Sequence, residues 1–148
     1  MVAWPLERAG EVVALLSVRH CDELWQRLGL DSRELARWDH VSRRLRVPFH
    51  ADGVISQLEG YEQLAEFDLA RYRATYANIG RLDLILEAEG DSTDRYQLSK
   101  QSDVLMLFYL LPLGELRALF ERLGYRLDAD TLTRTVDFYL PRTAYGST

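Results

Sequence analysis

Apolar positions recur with helical spacing along most of the chain. Leu6, Ala9, Val13 and Leu16 fall three or four apart, and Pro5 suits the first turn of the helix they predict. A short piece carrying Leu24, Trp25 and Leu28 stops at Gly29. Asp31 and Glu34 have capping-box spacing and open a helix with Leu35, Trp38, Val41 and Leu45 inward, ended by Pro48. Helical spacing resumes at Leu69, Tyr72, Tyr76 and Ile79, and again from Leu82 through Ile85 and Leu86 to Gly90. The chain closes with two amphipathic helices. One uses Leu116, Leu119, Phe120 and Leu123 before Gly124; the other starts at Asp128 or Asp130, uses Leu132, Val136 and Tyr139, and stops at Pro141.

Two segments break the pattern. From Phe49 to Tyr61 a short β-branched core lies between glycines, which reads as an extended connector. From Val104 to Leu111 every residue is apolar, so this run predicts an inner helix buried on every side, with Ser99 as its cap and Pro112 as its stop. The pattern is all-α throughout: helix pairs joined by short turns, in one domain spanning residues 1–148.

Composition narrows the function. The net charge of −5 argues against a nucleic-acid backbone binder. One cysteine and three scattered histidines give no disulfide framework and no zinc cluster. The apolar run is far shorter than the roughly 20 residues a bilayer needs. The start of the chain lacks the pattern of a signal peptide, and a cytoplasmic setting is expected. Walker-type and Rossmann-type phosphate loops are absent, and His40 and Cys21 read as incidental.

Three places suit chemistry. Lys100 and Gln101, placed by the Ser99 cap in the first turn before the apolar run, suit a polar ligand, although a cation there opposes the helix dipole; the plainer reading sends Lys100 to solvent. The connector gathers His50, Asp52, Gln57, Glu59 and aromatic rings, the groups sugar binding uses; the alternative is a crossover whose polar groups serve its own backbone. Arg142-Thr143-Ala144-Tyr145-Gly146-Ser147-Thr148 offers hydroxyls, a glycine and a guanidinium to an oxyanion, or else is a chain-end tail.

Four segments carry a family likeness. Val47-Pro48-Phe49-His50, Gly53 through Tyr61, Leu98-Ser99-Lys100-Gln101-Ser102-Asp103-Val104-Leu105 and Tyr139-Leu140-Pro141-Arg142-Thr143 together resemble glycoside hydrolase family 65, the family of maltose, trehalose and kojibiose phosphorylases and related hydrolases. The resemblance spans nearly the whole chain and implies about half of an (α/α)6 barrel. It implies inverting attack on an α-glucosidic bond by phosphate or by activated water, with a glutamic acid protonating the leaving oxygen. Lys100 and Gln101 match the pair that binds the transferred glucosyl unit. Arg142, Thr143, Gly146, Ser147 and Thr148 match the loop that helps hold phosphate. Tyr145 stands where the family has His, Ser102 where it has Ala, and Leu58 where it has Phe.

The family's general acid lies in an Asp-Glu-Tyr-His segment that these residues do not contain and that would fall just upstream of Met1. The expectation is therefore a fragment of a carbohydrate-active enzyme, inactive alone, with a disaccharide or glucose as ligand and inorganic phosphate as possible co-substrate. Neither a metal nor an organic cofactor is implied. Self-association, or a complementing remainder of the domain, would cover the apolar run. The competing expectation is a non-catalytic helical protein that keeps the groove for binding or self-association.

Overall fold

A computed structural model describes residues 2–16 and 18–144. Eight α-helices account for the regular structure of these residues: α1 (Ala3–Leu15), α2 (Val18–Leu28), α3 (Ser32–Ser42), α4 (Leu69–Thr75), α5 (Leu82–Ala88), α6 (Asp103–Leu110), α7 (Leu113–Arg122) and α8 (Ala129–Tyr139). Three single 3₁₀ turns and three isolated β-bridges complete them, with no strand among the described residues. The all-α expectation holds. No helix of the described residues is long and apolar enough to cross a membrane.

The chain divides into two compact units. The first comprises Met1–Arg46 and Leu113–Leu127. Its α3 begins as the sequence predicts: the Asp31 carboxylate accepts from the Glu34 amide at 2.8 Å, satisfying one of the free donors of the first turn. The helix ends at Ser42, however, well before Pro48, so Leu45 lies outside it. Within this unit α1 packs on α3, and α7 buries Leu116, Leu119 and Phe120. Arg122 of α7 pairs with Glu7 and Asp39 and donates to the Ser42 hydroxyl at 2.9 Å, tying the three helices at one polar point.

The second unit comprises Val47–Pro112 and Asp128–Thr148. Its apolar centre is Leu69, Ile79, Leu82, Leu86 and Ala144, edged by Phe67, Tyr72, Tyr76, Tyr96 and Leu98. The α4 helix stops at Thr75, shorter than its apolar spacing predicts, and Tyr76 and Ile79 join the core from the following loop. The Glu89 carboxylate accepts from the Tyr72 and Tyr76 hydroxyls, fastening α4 to the end of α5. That bond holds the Glu89 carboxyl below the usual carboxylate range and pushes Tyr72 up to about 12.

Two expectations about α6 change. Ser102 is the cap, its hydroxyl accepting from the Leu105 amide at 3.4 Å, and Ser99 is three residues outside. The helix is also not buried on every side in this chain. Val104 is its one buried residue, Leu105 to Phe108 are half-buried, and Tyr109 and Leu110 are 83% and 48% exposed.

Candidate functional site

The connector before α4 turns back on itself. Phe49 and Ile55 form an antiparallel bridge, the His50 amide donates to the Val54 carbonyl at 2.8 Å, and the turn closes through Gly53 at φ 86°, which an L side chain rarely adopts. Its buried donors find acceptors on α8. The Ile55 amide donates to the Thr135 hydroxyl at 3.2 Å and the Gln57 amide to the Tyr139 hydroxyl at 2.7 Å. Burial pushes the Tyr139 phenol up to about 12.

Of the polar side chains of this connector, Asp52 serves its own fold, while His50 Nε2 and Gln57 Oε1 are buried without a hydrogen-bond partner among the described residues. Asp52 accepts from the Val54 amide at 3.2 Å, and Glu62 accepts from the Ala51 amide at 2.9 Å. His50 is 7% exposed and packs edge-on against Phe138 at 4.8 Å. Burial holds its imidazole below the usual histidine range, Glu62 and Asp52 oppose that, and Arg142 adds to it. Glu59 is exposed, and Gln57 contributes its backbone donor to Tyr139. None of His50, Asp52, Gln57 or Glu59 lines the cleft described next.

Lys100 sits on a loop held from both sides. On one side, the Gln97 amide donates to the Ala65 carbonyl at 2.8 Å. The buried Gln97 side chain donates to the carbonyls of Glu62 at 3.1 Å and Leu64 at 2.9 Å. On the other side, Ser99 pairs in parallel with Thr143: the Ser99 amide donates to Arg142 O at 3.3 Å, and the Ala144 amide donates to Ser99 O at 2.9 Å. Lys100 and Gln101 thus lie between a bridge and a helix cap. The helix dipole does not oppose Lys100, which precedes the Ser102 cap instead of occupying the first turn.

Lys100 is exposed, as the plainer reading expects, and also lines an open cleft of about 350 Å³. Ile79, Leu82, Leu98 and Ala144 make its apolar wall, so the core of the second unit also forms one side of the cleft. Ser99, Thr93, Arg81 and Asp83 supply its other polar groups. Arg81 grips Asp83 with two nitrogens, Nε at 3.0 Å and Nη2 at 2.8 Å, and this pairing holds the Asp83 carboxyl below the usual range. An apolar wall facing hydroxyls, a cation and a charge pair suits a small polyol or anionic ligand. Gln101 is exposed and does not line the cleft.

The end of the described chain runs beside Lys100 through the Ser99–Thr143 bridge, a juxtaposition no local pattern announced. Arg142 and Thr143 are already engaged within the fold. Arg142 pairs with Glu66, donates to the Phe138 carbonyl at 2.9 Å and lies 4.1 Å over the Phe138 ring. Thr143 donates to the Tyr139 carbonyl at 2.8 Å. Gly146, Ser147 and Thr148, matched above to a phosphate loop, lie outside the described residues, as does Tyr145. Among the described residues no three of His, Cys, Asp and Glu converge as a metal site, and Cys21 donates to the Val13 carbonyl.

Comparison with known proteins extends over the whole chain. The model of the glycosyl hydrolase family 65 central catalytic domain matches residues 1–148. The chain is 55% identical over all 148 residues to an uncharacterized glycosyl hydrolase of Mycobacterium tuberculosis, covering 11% of that protein. It is 40% identical to the trehalose 6-phosphate phosphorylase of Lactococcus lactis over 77% of the chain and 15% of the relative. It is 28% identical to the kojibiose phosphorylase of Halothermothrix orenii over 99% of the chain and 17% of the relative. The chain therefore spans between 11% and 17% of the length of these relatives. No solved structure matches. A family model matching from end to end shows that the protein belongs to glycosyl hydrolase family 65, within its central catalytic domain, and the helices of the described residues agree with it.

Proposed function

We propose that the chain forms the substrate side of a catalytic domain that cleaves α-glucosidic disaccharides by inverting phosphorolysis or hydrolysis. One observation carries the reading: Lys100 faces a sugar-sized cleft from a loop pinned by Gln97 and by the Ser99–Thr143 bridge. Its ammonium is a point donor for sugar hydroxyls, and the apolar wall of Ile79 and Leu82 takes the ring face. Gln101, exposed and outside the cleft, is assigned to the sugar by the family likeness alone. Phosphate enters as co-substrate in the phosphorolytic form, held through Gly146, Ser147 and Thr148.

Inverting cleavage needs a protonated carboxyl on the leaving oxygen and an attacking group on the opposite face. Asp83, the carboxylate that lines the cleft, is pinned to Arg81 and held ionised, which disqualifies it as the acid near neutral pH. The reading assigns the acid to a residue outside these 148, and the chain alone is expected to turn over no disaccharide. A missing general acid alone costs about two to four orders of magnitude in rate. A reducing, cytoplasmic setting suits its single free cysteine.

The test joins the chain to a polypeptide bearing the family's acid segment and follows glucose or glucose-phosphate release from trehalose 6-phosphate, trehalose and kojibiose. The expected result is turnover of at least one substrate, lowered about 100-fold by Lys100→Ala, in line with the loss of a charged hydrogen bond to the substrate. Equal turnover by the variant would overturn the assignment of Lys100.

A further inference from the structure

The guanidinium of Arg142 belongs to the segment matched to phosphate binding, yet its contacts all lie within the fold. We propose that Arg142 is a positioning residue for the Lys100 loop and not an anion ligand. Its side chain reaches Glu66 in the loop before α4, the Phe138 carbonyl in the last turn of α8, and the face of the Phe138 ring at 4.1 Å. Its own carbonyl accepts the Ser99 amide at 3.3 Å, and two residues later the Ala144 amide returns a bond to Ser99 at 2.9 Å. One residue thus ties the 66 loop and the end of α8 to the backbone that carries Lys100.

The neighbouring bonds make this a closed frame. The segment of Glu66 is fixed to the strand-like run before Lys100 by the Ala65–Tyr96 bridge and the two Gln97 side-chain bonds. Arg73 and Thr143 complete the far side, Arg73 donating to the Thr143 carbonyl at 3.5 Å and the Thr143 hydroxyl capping Tyr139 O. The Arg142 side chain is 25% exposed and has a carboxylate, a carbonyl and a ring around it. A phosphate would have to share the guanidinium with the Glu66 carboxylate, whose like charge opposes it. A planar guanidinium spans these partners at fixed angles, which a lysine ammonium does not reproduce despite its equal charge. That Lys100 meets sugar rests on the reading above; that Arg142 holds its loop does not.

The experiment compares the whole chain with Arg142→Lys and Glu66→Gln by amide hydrogen exchange, and by titrations with glucose and with inorganic phosphate read by NMR. In Arg142→Lys, exchange at the Ser99 and Ala144 amides should quicken by at least about tenfold, the loss of one charge-assisted bond, while the Leu86 amide in α5 is unchanged. Glu66→Gln should quicken the same two amides only about two- to fivefold, because Glu66 is exposed. Glucose should bind more weakly to Arg142→Lys, and phosphate should leave the Arg142 Nε–H resonance of the parent chain in place.

Three outcomes would overturn the inference. One is unchanged exchange at Ser99 and Ala144 in Arg142→Lys. Another is uniform acceleration that includes Leu86, which marks general destabilisation. The third is a saturable phosphate shift of the Arg142 side chain, which marks an anion ligand. Glucose binding that ignores Lys100→Ala would sink the Lys100 reading alone, leaving the exchange data to decide the role of Arg142.

Discussion

Thr135 is fully buried, and its hydroxyl accepts the Ile55 amide at 3.2 Å while donating to the Thr131 carbonyl at 2.7 Å. Thr135→Val keeps the shape and removes the oxygen. The Thr131 carbonyl retains its helical bond from the residue 135 amide, but the Ile55 amide, in a residue 2% exposed, loses its acceptor. An orphaned buried donor costs about 1–3 kcal/mol. For a chain of this length each kcal/mol lowers the melting temperature by about 2–4 °C, so the variant should melt roughly 2–12 °C lower. Thr135→Ser keeps both bonds and should lose only about 1 kcal/mol for its missing methyl group. Tyr139→Phe removes the acceptor of the Gln57 amide and should cost a similar 1–3 kcal/mol. The assay is urea unfolding, with hydrogen exchange at Ile55 as the local readout. A Thr135→Val protein as stable as the parent, or Thr135→Ser the weaker of the two, would refute the idea that α8 anchors the connector by these bonds.

The remaining expectations concern acid, core and surface. Because burial lowers the folded-state pKa of His50 below its unfolded value, its contribution to stability is full above about pH 6.5 and falls as pH drops through that value towards the lower folded pKa. Melting between pH 7.5 and 5.5 should show this loss, and His50→Gln should flatten it; a slope unchanged by the substitution would contradict the assignment. Leu86 is fully buried in the second unit, and Leu86→Ala should cost about 2–5 kcal/mol in urea unfolding. The half-covered face of α6, with Tyr109 83% and Leu110 48% exposed, should bind an apolar dye. Leu110→Lys should reduce that binding without lowering the melting temperature.

Features decided within a few residues were legible in the sequence. Asp31 and Asp128 cap the helices they precede, at 2.8 Å in both cases. Gly29, Gly90 and Gly124 stop their helices with φ between 64° and 83°, where side chains strain the backbone. Features decided by distant partners were not. Ser99 and Ser102 are equally good caps by composition, and Ser102 takes the role while the backbone of Ser99 is hydrogen-bonded to Arg142 and Ala144. The burial of α6 is not legible for a similar reason, since an apolar run states what could be covered and not what covers it among the described residues.

The site was half legible. The family likeness drew attention to Lys100, and periodicity gave no hint of Gln97, whose amide satisfies two carbonyls more than thirty residues away, or of the Glu66–Arg142 pair. The polar residues of the connector looked like sugar contacts by type. The structure spends Asp52 and Glu62 on backbone amides of the turn, while Thr135 and Tyr139, read only as helix positions or not at all, carry the connector.

The role proposed for the Lys100 cleft, a glucosyl subsite, has a direct physical readout. Glucose titrated into the isotopically labelled chain and followed by NMR tests it most directly. The account predicts saturable shifts confined to Arg81, Thr93 and Ser99 to Gln101, which Lys100→Ala abolishes; shifts centred on the His50–Glu59 connector, or none at saturating glucose, would contradict it.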